Sequence, residues 1–170
     1  ETDPCEIPAF EFMGRIAELR PETAGDPATW FNDAVSKNPD SALAYAVRAA
    51  YYLRQDDTGK AMADLTHATT CDLSDASVRL RVISEFITAG DWSRAREQLE
   101  ALRAISPGEL GLWVAWANLA VKQGEKEGMR KAAEDGMKAM GAGAWDFMPI
   151  AVRLLILASD TVKKEDGSYE

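Results

Sequence analysis

The stretch TAGDWSRAREQLEAL (Thr88–Leu102) contains a Gly-Asp break that is followed at once by a helix-forming sequence. The stretch GEKEGMRKAAEDG (Gly124–Gly136) has the same shape, with Gly124 in the place of Gly90. Glycine permits the left-handed backbone at a helix end, and Asp91 can cap the free amides of the next helix. Both stretches therefore predict elbows between two antiparallel helices.

The step from Gly90 to Gly124, of about 34 residues, also connects in-phase positions over most of the chain, and most of these are apolar or small. Small side chains such as Ala61 let two helices approach closely, whereas large ones such as Tyr45 fill the space between helix pairs. Pro39 and Pro107 end their helices. The pattern predicts an all-α fold of antiparallel helix-turn-helix units. The in-phase positions are Tyr45, Arg79, Trp113 and Phe147; Tyr52, Phe86, Ala120 and Leu154; Ala61, Ala95 and Met129; Leu65, Leu99 and Ala133; and Ala68, Leu102 and Gly136.

This spacing resembles the tetratricopeptide repeat (TPR), which combines W-x2-L-G-x2-Y, A-x3-F and a proline over about 34 residues. The resemblance covers roughly Asp26 to Ser159 and implies a right-handed α-solenoid. The predicted segments are an N-terminal segment with one non-standard helix (1–25), the second helix of a partial repeat (26–41), three repeats (42–75, 76–109 and 110–143), a fourth-repeat first helix or capping helix (144–160) and a polar tail (161–170).

The TPR resemblance also implies a binding groove, because the first helices of successive TPR units line a concave surface that takes peptides or extended partner segments. Most of the implied groove is apolar, which suits a peptide or helix that buries aliphatic or aromatic side chains. These side chains could instead pack under the chain's own terminal segments, which would leave no open groove. The implied groove residues are Leu43, Ala46, Ala50, Leu53, Arg54, Leu80, Ser84, Ile87, Val114, Asn118, Val121 and Lys122.

The two ends of the array differ from a regular repeat. Phe10, Met13, Ile16 and Ala17 form an apolar stripe, so Pro8–Leu19 is predicted as a helix with non-standard packing. At the other end, residues 147–158 are apolar on nearly every side except Arg153. Such a surface needs a cover, and the alternatives are further repeats, the chain's own tail or a second copy in a homo-oligomer.

Composition excludes several classes of partner. The 170 residues are 46% hydrophobic and carry a formal net charge of −9 with a pI near 4.7, which disfavours binding to a nucleic-acid backbone. The longest apolar run, Ile150–Ala158, is far shorter than the ~20 residues that a transmembrane helix needs, so membrane insertion is not expected. The chain begins at Glu1 without a targeting segment, so we expect a processed product or part of a larger protein, and its compartment stays unassigned.

Candidate catalytic and metal-ligating residues are few. Cys5, Cys71 and His67 are the chain's complete set of cysteine and histidine residues, too few for a structural zinc site. The sequence leaves open whether Cys5 and Cys71 form a disulfide. His67 is expected to face solvent on a helix, where no nucleophilic triad is indicated. The carboxylates of Asp56, Asp57, Asp72 and Asp75 fall at predicted elbows, where carboxylates cap helices.

The sequence therefore predicts no catalytic residues, no metal and no cofactor. We expect a non-catalytic protein–protein interaction module that binds a protein or peptide. The alternatives are a structural domain that oligomerises through residues 147–158, and an accessory domain that serves an enzyme elsewhere on a longer chain.

Overall fold

The computed structural model describes residues 6–158, apart from the side chains of residues 142 and 143. Over this range the chain is all-helical and has no β-strand, which confirms the predicted fold class at this level. The helices are α1 (Glu6–Leu19), α2 (Pro21–Ala24), α3 (Pro27–Lys37), α4 (Ala42–Arg54), α5 (Thr58–Ala68), α6 (Ala76–Ala89), α7 (Trp92–Ile105), α8 (Leu110–Gln123), α9 (Lys126–Met140) and α10 (Met148–Ala158).

Helix boundaries recur at the predicted interval. α4, α6 and α8 begin at Ala42, Ala76 and Leu110, which are equally spaced along the chain. α5, α7 and α9 begin at residues 58, 92 and 126, with the same spacing. The packing columns on these second helices are buried in every copy, and they comprise Ala61, Leu65 and Ala68; Ala95, Leu99 and Leu102; and Met129, Ala133 and Gly136.

The Gly-Asp elbow forms as the sequence predicts. Gly90 ends α6 in the left-handed region with a φ of 79°, and the backbone N–H of Asp91 donates to the Phe86 carbonyl. The Asp91 carboxylate then accepts from the backbone N–H of Arg94 at 3.1 Å. Gly124 ends α8 in the same way, with a φ of 68°. These contacts confirm a helix-turn-helix at both sites.

Two regions depart from the predicted boundaries. α10 begins at Met148, and the short 3-10 helix Gly141–Trp145 precedes it and crosses the predicted boundary between residues 143 and 144. Pro149 suits the first turn of α10, where its missing N–H needs no partner. Near the N-terminus, Pro21–Ala24 forms a helical turn in addition to α1 within the segment 1–25, for which the sequence predicts one helix.

The described residues divide into two compact units, which we call the N-terminal unit (up to Arg94) and the C-terminal unit (from Ala95). The division falls inside α7. The predicted repeat boundaries do not coincide with it, and they stay a prediction. Cys5 and the predicted tail 161–170 lie outside the described residues.

The core of the N-terminal unit is built by α1, α3 and α4, with α5 and α6 packed on α4. Its buried cluster contains Ile7, Phe31, Val35, Ala44 and Val47. The Phe31 ring stacks on Tyr51 with a centroid distance of 4.6 Å. The predicted non-standard N-terminal helix is α1, and it is an integral part of this core.

In the C-terminal unit, α9 packs against both α8 and α10. The fully buried ring of Phe147 lies against Gly136, where an added Cβ would come within 2.5 Å of it. The indole N–H of Trp113 donates to the Pro107 carbonyl at 2.7 Å. None of the described helices in either unit is long and apolar enough to cross a bilayer.

Candidate protein-binding surface

The groove positions predicted in the N-terminal unit are largely closed. Ala46, Ala50 and Ile87 are buried, with 0%, 5% and 8% of their surface exposed. Leu43 packs against the unit's core cluster, so it is not available at a groove edge. Leu53 and Leu80 are half-buried, whereas Arg54 and Ser84 are exposed. The buried residues cannot contact a ligand in this arrangement.

The helix α1 contacts both α4 and α6. It packs on α4, and its Glu11 carboxylate accepts from Arg81 of α6 at 2.7 Å. Its Glu18 carboxylate accepts from Arg54 of α4 at 3.0 Å. α4 is rich in alanine, so neighbouring elements can approach closely and bridge it with long side chains. The alternative that the chain's own N-terminal segment packs over the groove stays a prediction.

A second carboxylate lies beside this ion pair. Arg81 also donates to Glu85 at 2.9 Å. Burial raises the pKa of Glu85, and the opposing effect of the Arg81 guanidinium does not cancel it. The surface between α1 and α6 is therefore a partly buried charged network.

The corresponding positions in the C-terminal unit are open. On α8, Val121 is 43% exposed, Asn118 and Lys122 are exposed, and Val114 is half-buried. One repeat later, on α10, Val152 and Leu155 are 49% and 42% exposed. α8 and α10 pack together. We call Val114, Val121, Val152 and Leu155 the α8–α10 surface.

One face of α10 packs inside the C-terminal unit, and the other face is exposed. Ala151, Leu154 and Ala158 are buried within the C-terminal unit. Ile156 and Leu157 are exposed in addition to the two residues of the α8–α10 surface. Trp145, just before α10, is 75% exposed. The expectation that this segment leaves apolar area uncovered therefore agrees with the described residues.

His67 lies on the exposed side of α5, as expected from the sequence. Its ring packs on Tyr45, with the two centroids 4.2 Å apart. Across residues 6–158, no three His, Cys, Asp or Glu side chains lie close enough together to hold a metal ion.

Two of the four predicted capping carboxylates, those of Asp57 and Asp75, cap helices. Asp72 instead accepts from Ser74 ahead of α6, and Asp56 precedes the N-cap residue Asp57. Asp57 accepts from the backbone N–H of Lys60 and pairs with its ammonium group at 2.7 Å. This ammonium and the same backbone N–H lower the pKa of Asp57. The hydroxyl of Ser77 and the backbone N–H groups at the start of α6 lower the pKa of Asp75. The backbone N–H of Ser74 likewise lowers the pKa of Asp72.

The sequence analysis missed one polar cluster. Arg48 donates to both carboxylate oxygens of Asp64 at 2.8 Å and to the amide oxygen of Asn32 at 3.1 Å. This cluster joins α3, α4 and α5, and the hydrogen bond to Asp64 raises the pKa of Arg48. One feature of the sequence could have indicated it. Asn32 and Asp64 lie equally far from Arg48 along the chain, one before it and one after it, and each is on a helix next to α4.

A scan against protein-family models finds no match, and a search of curated proteins finds no significant relative. The TPR resemblance therefore depends on the spacing of the chain itself.

Proposed function

We propose that this chain is a non-catalytic protein-interaction module of TPR-like helical repeats. In this proposal the repeats stack as a right-handed solenoid, and the α8–α10 surface binds aliphatic side chains of a partner peptide or helix. The observation that carries the proposal is the exposure of apolar residues at in-phase positions, above all Val121 and Leu155, which occupy the same position of successive repeats.

The α8–α10 surface has the chemistry of a peptide-binding groove. Each exposed Val or Leu side chain that a ligand covers contributes about 1–2 kcal/mol, before the cost of ordering the ligand is subtracted. Asn118 and Lys122 stand beside Val121 on α8 and offer polar contacts to the backbone of an extended ligand. In the N-terminal unit the predicted groove positions Ala46, Ala50 and Ile87 are buried instead.

A display library of random peptides, selected on the immobilised chain, tests this proposal. The wild-type chain is expected to enrich peptides with aliphatic residues. The double substitution Val152→Glu and Leu155→Glu should weaken their binding at least tenfold, because each charge would have to be buried against apolar side chains. Both residues are exposed, so the helical content by circular dichroism should stay nearly unchanged.

The matched control is the double substitution Leu19→Glu and Ile105→Glu. Leu19 and Ile105 are 83% and 64% exposed, and the control adds the same charge at residues that are not part of the α8–α10 surface. Peptide affinity should be unaffected by it. Equal losses for both double variants, or no loss for either, would contradict the proposed surface.

Self-association through α10 is the second candidate, and the additional exposure of Leu157 and Trp145 favours it. Sedimentation velocity over a range of protein concentrations distinguishes the two functions. A dimer that is lost with Val152→Glu and Leu155→Glu but kept with the control pair supports self-assembly. A monomer at every concentration excludes it.

A further inference from the structure

The C-terminal unit contains a cavity of about 110 Å³ between α7, α8 and α9. Its apolar wall includes Trp113, Leu119, Ala120 and Ala132, all of which are buried. An apolar cavity of about 150 Å³ holds a molecule the size of benzene, so the apolar part of a ligand here can have only a few carbon atoms. The cavity is separate from the α8–α10 surface, since none of that surface's four residues lines it.

The cavity arises because its wall has small side chains where the N-terminal unit has large ones. Ala120 stands two repeats after Tyr52. Ala132 stands two repeats after Asp64, which binds Arg48 in a bidentate ion pair at 2.8 Å. Helix backbones that keep their spacing do not collapse fully into space vacated in this way. The C-terminal unit therefore keeps open a volume that the N-terminal unit fills with its own side chains.

Charged side chains of both signs surround the apolar wall, and four of them are already paired. Arg96 pairs with Glu125 at 3.6 Å. Arg103 pairs with Glu100 at 2.9 Å. These two ion pairs leave no net charge on their side of the cavity.

Lys131 and Asp135 also line the cavity, and they have no such partners. Within residues 6–158, neither side chain forms an ion pair or a hydrogen bond. The two residues are four positions apart on α9, so they lie on one helix face with their Cβ atoms about 5–6 Å apart. Lys131 is exposed and Asp135 is half-buried, which places both at the solvent edge of the cavity. One cation and one anion are thus available there, beside Ala132.

These two opposite charges decide which kind of ligand suits the site. A ligand carboxylate near Lys131 also stands close to Asp135, which repels it. An ammonium group near Asp135 is repelled by Lys131 in the same way. A ligand that carries both groups can face each side chain with the opposite charge. Free α-amino acids are such ligands, because their carboxylate and ammonium groups are attached to the same carbon atom.

We propose that this cavity is a binding site for a free α-amino acid with a small aliphatic side chain. Its carboxylate pairs with Lys131, its ammonium group pairs with Asp135, and its side chain packs against the apolar wall. Both charged ends stay partly solvated at the edge of the cavity, so they avoid the desolvation cost of a fully buried ion pair. A peptide terminus does not meet these requirements, because it keeps only one of the two charges.

A ¹H–¹⁵N NMR titration of the whole chain with L-2-aminobutyrate tests this proposal. The backbone amide signals of Ala120 and Ala132 should shift in a saturable way, with a Kd of about 1–10 mM for so small a ligand. Glycine carries both charges but has no side-chain carbon to place against the apolar wall. It should therefore bind about tenfold more weakly.

Two ligands with a single charge test the need for both groups. Butyrate keeps the carboxylate and the aliphatic chain of L-2-aminobutyrate but lacks the ammonium group. n-Propylamine keeps the ammonium group and the chain but lacks the carboxylate. Each should bind at least fivefold more weakly than L-2-aminobutyrate, because one ion pair is lost and the other charge of the site repels the ligand.

Substitutions at the edge of the cavity connect the binding with the two charges. Lys131→Gln and Asp135→Asn should each weaken the binding of L-2-aminobutyrate about twofold to fivefold, the range for one partly exposed ion pair. The matched control is the double substitution Glu134→Gln and Lys138→Gln. These two residues are also exposed and four positions apart on α9, but neither lines the cavity. The control should leave the Kd unchanged.

Three results would each overturn the proposal. The first is the absence of a saturable shift of the Ala120 and Ala132 signals with L-2-aminobutyrate. The second is binding of butyrate or n-propylamine that is as tight as that of L-2-aminobutyrate, which would make the site one for a simple anion or cation. The third is an equal loss of binding in the control and in the variants at Lys131 and Asp135.

Discussion

Arg48 and Trp116 occupy the same position of the helical repeat, two repeats apart, yet their surroundings are opposite in character. Around Arg48, hydrogen bonds to Asp64 and Asn32 join three helices. Around Trp116 the facing positions are small, and a cavity of about 110 Å³ remains. Both units keep their buried columns of small and aliphatic residues. The two units therefore share those columns, while the side chains at this repeat position differ between them.

The groove positions show the same contrast. In the N-terminal unit, Ala46 and Ala50 of α4 are buried, and the Glu11–Arg81 ion pair joins α1 to α6. In the C-terminal unit, the positions equivalent to Ala50 and Leu53 two repeats earlier are Asn118 and Val121, and they are exposed. These positions are thus buried or half-buried in the N-terminal unit and exposed in the C-terminal unit.

Removal of one partner from the polar cluster should give the largest effect. Asp64→Ala leaves the Arg48 guanidinium, whose side chain is only 20% exposed, without its carboxylate. We expect the N-terminal unit to lose about 2–3 kcal/mol of unfolding free energy, less than for a fully buried pair because water still reaches Arg48. Urea unfolding measures the loss, and faster hydrogen exchange in α4 and α5 assigns it to this unit.

The double variant Arg48→Trp and Asp64→Ala distinguishes two causes of destabilisation, an unpaired buried charge and the loss of packed volume. It reproduces the residues found at Trp116 and Ala132 and leaves no buried cation. Its destabilisation should be smaller than that of Asp64→Ala alone. If the double variant is the less stable of the two, the cluster acts mainly through its packed volume and not through its charge.

Each unit has a helical glycine that lies against a buried phenylalanine ring, Gly14 in the N-terminal unit and Gly136 in the C-terminal unit. A Cβ at Gly14 would come within 2.5 Å of the Phe31 ring, and a Cβ at Gly136 would come equally close to the Phe147 ring. Both rings are fully buried and have little room to move. Gly14→Ala and Gly136→Ala should therefore each cost about 1–2 kcal/mol in their own unit, despite the better helix propensity of alanine.

Gly59→Ala is the matched control for these two substitutions. Gly59 also lies inside a helix, but its added Cβ would meet only the Asp57 carboxylate at an ordinary 3.7 Å. This variant should be neutral or more stable by about 0.5–1 kcal/mol. If all three variants gain stability, the two rings adapt and close helix approach does not require glycine at positions 14 and 136.

The start positions of the helices could be predicted from the sequence more accurately than the exposure of their side chains. Periodicity and elbow chemistry are local, so the starts of α4, α6 and α8 could be read from spacing alone. The burial of Ala46 and Ala50 depends on the helices packed on α4, and one of these, α1, carries no repeat signal. The Trp116 cavity was missed for a related reason, because it reflects the absence of large side chains on α8 and α9.

Acidic pH should produce the smallest effect. The pKa values of Asp57, Asp72 and Asp75 lie below their ordinary value of 3.8, so each folded carboxylate holds its proton less tightly than the unfolded one. The stability they contribute is fully present above pH 3.8 and is lost as the pH falls through their lowered values. Glu85 has the opposite sign: its raised pKa gives stability that is fully present below pH 4.5 and is lost as the pH rises through the raised value.

Stability of the N-terminal unit should therefore rise slightly as the pH approaches 4.5 from above and fall below 3.8. The double substitution Asp57→Asn and Asp75→Asn keeps side-chain acceptors for the two helix N-termini but removes two of the titrating carboxylates. In a plot of Tm against pH, this double substitution should reduce the fall of Tm below pH 3.8. Glu85→Gln should instead reduce the rise of Tm as the pH approaches 4.5 from above. Because Asp57 and Asp75 are exposed caps, the change in Tm should be modest. An acid side that is as steep in the double variant as in the wild type would assign the loss to other carboxylates.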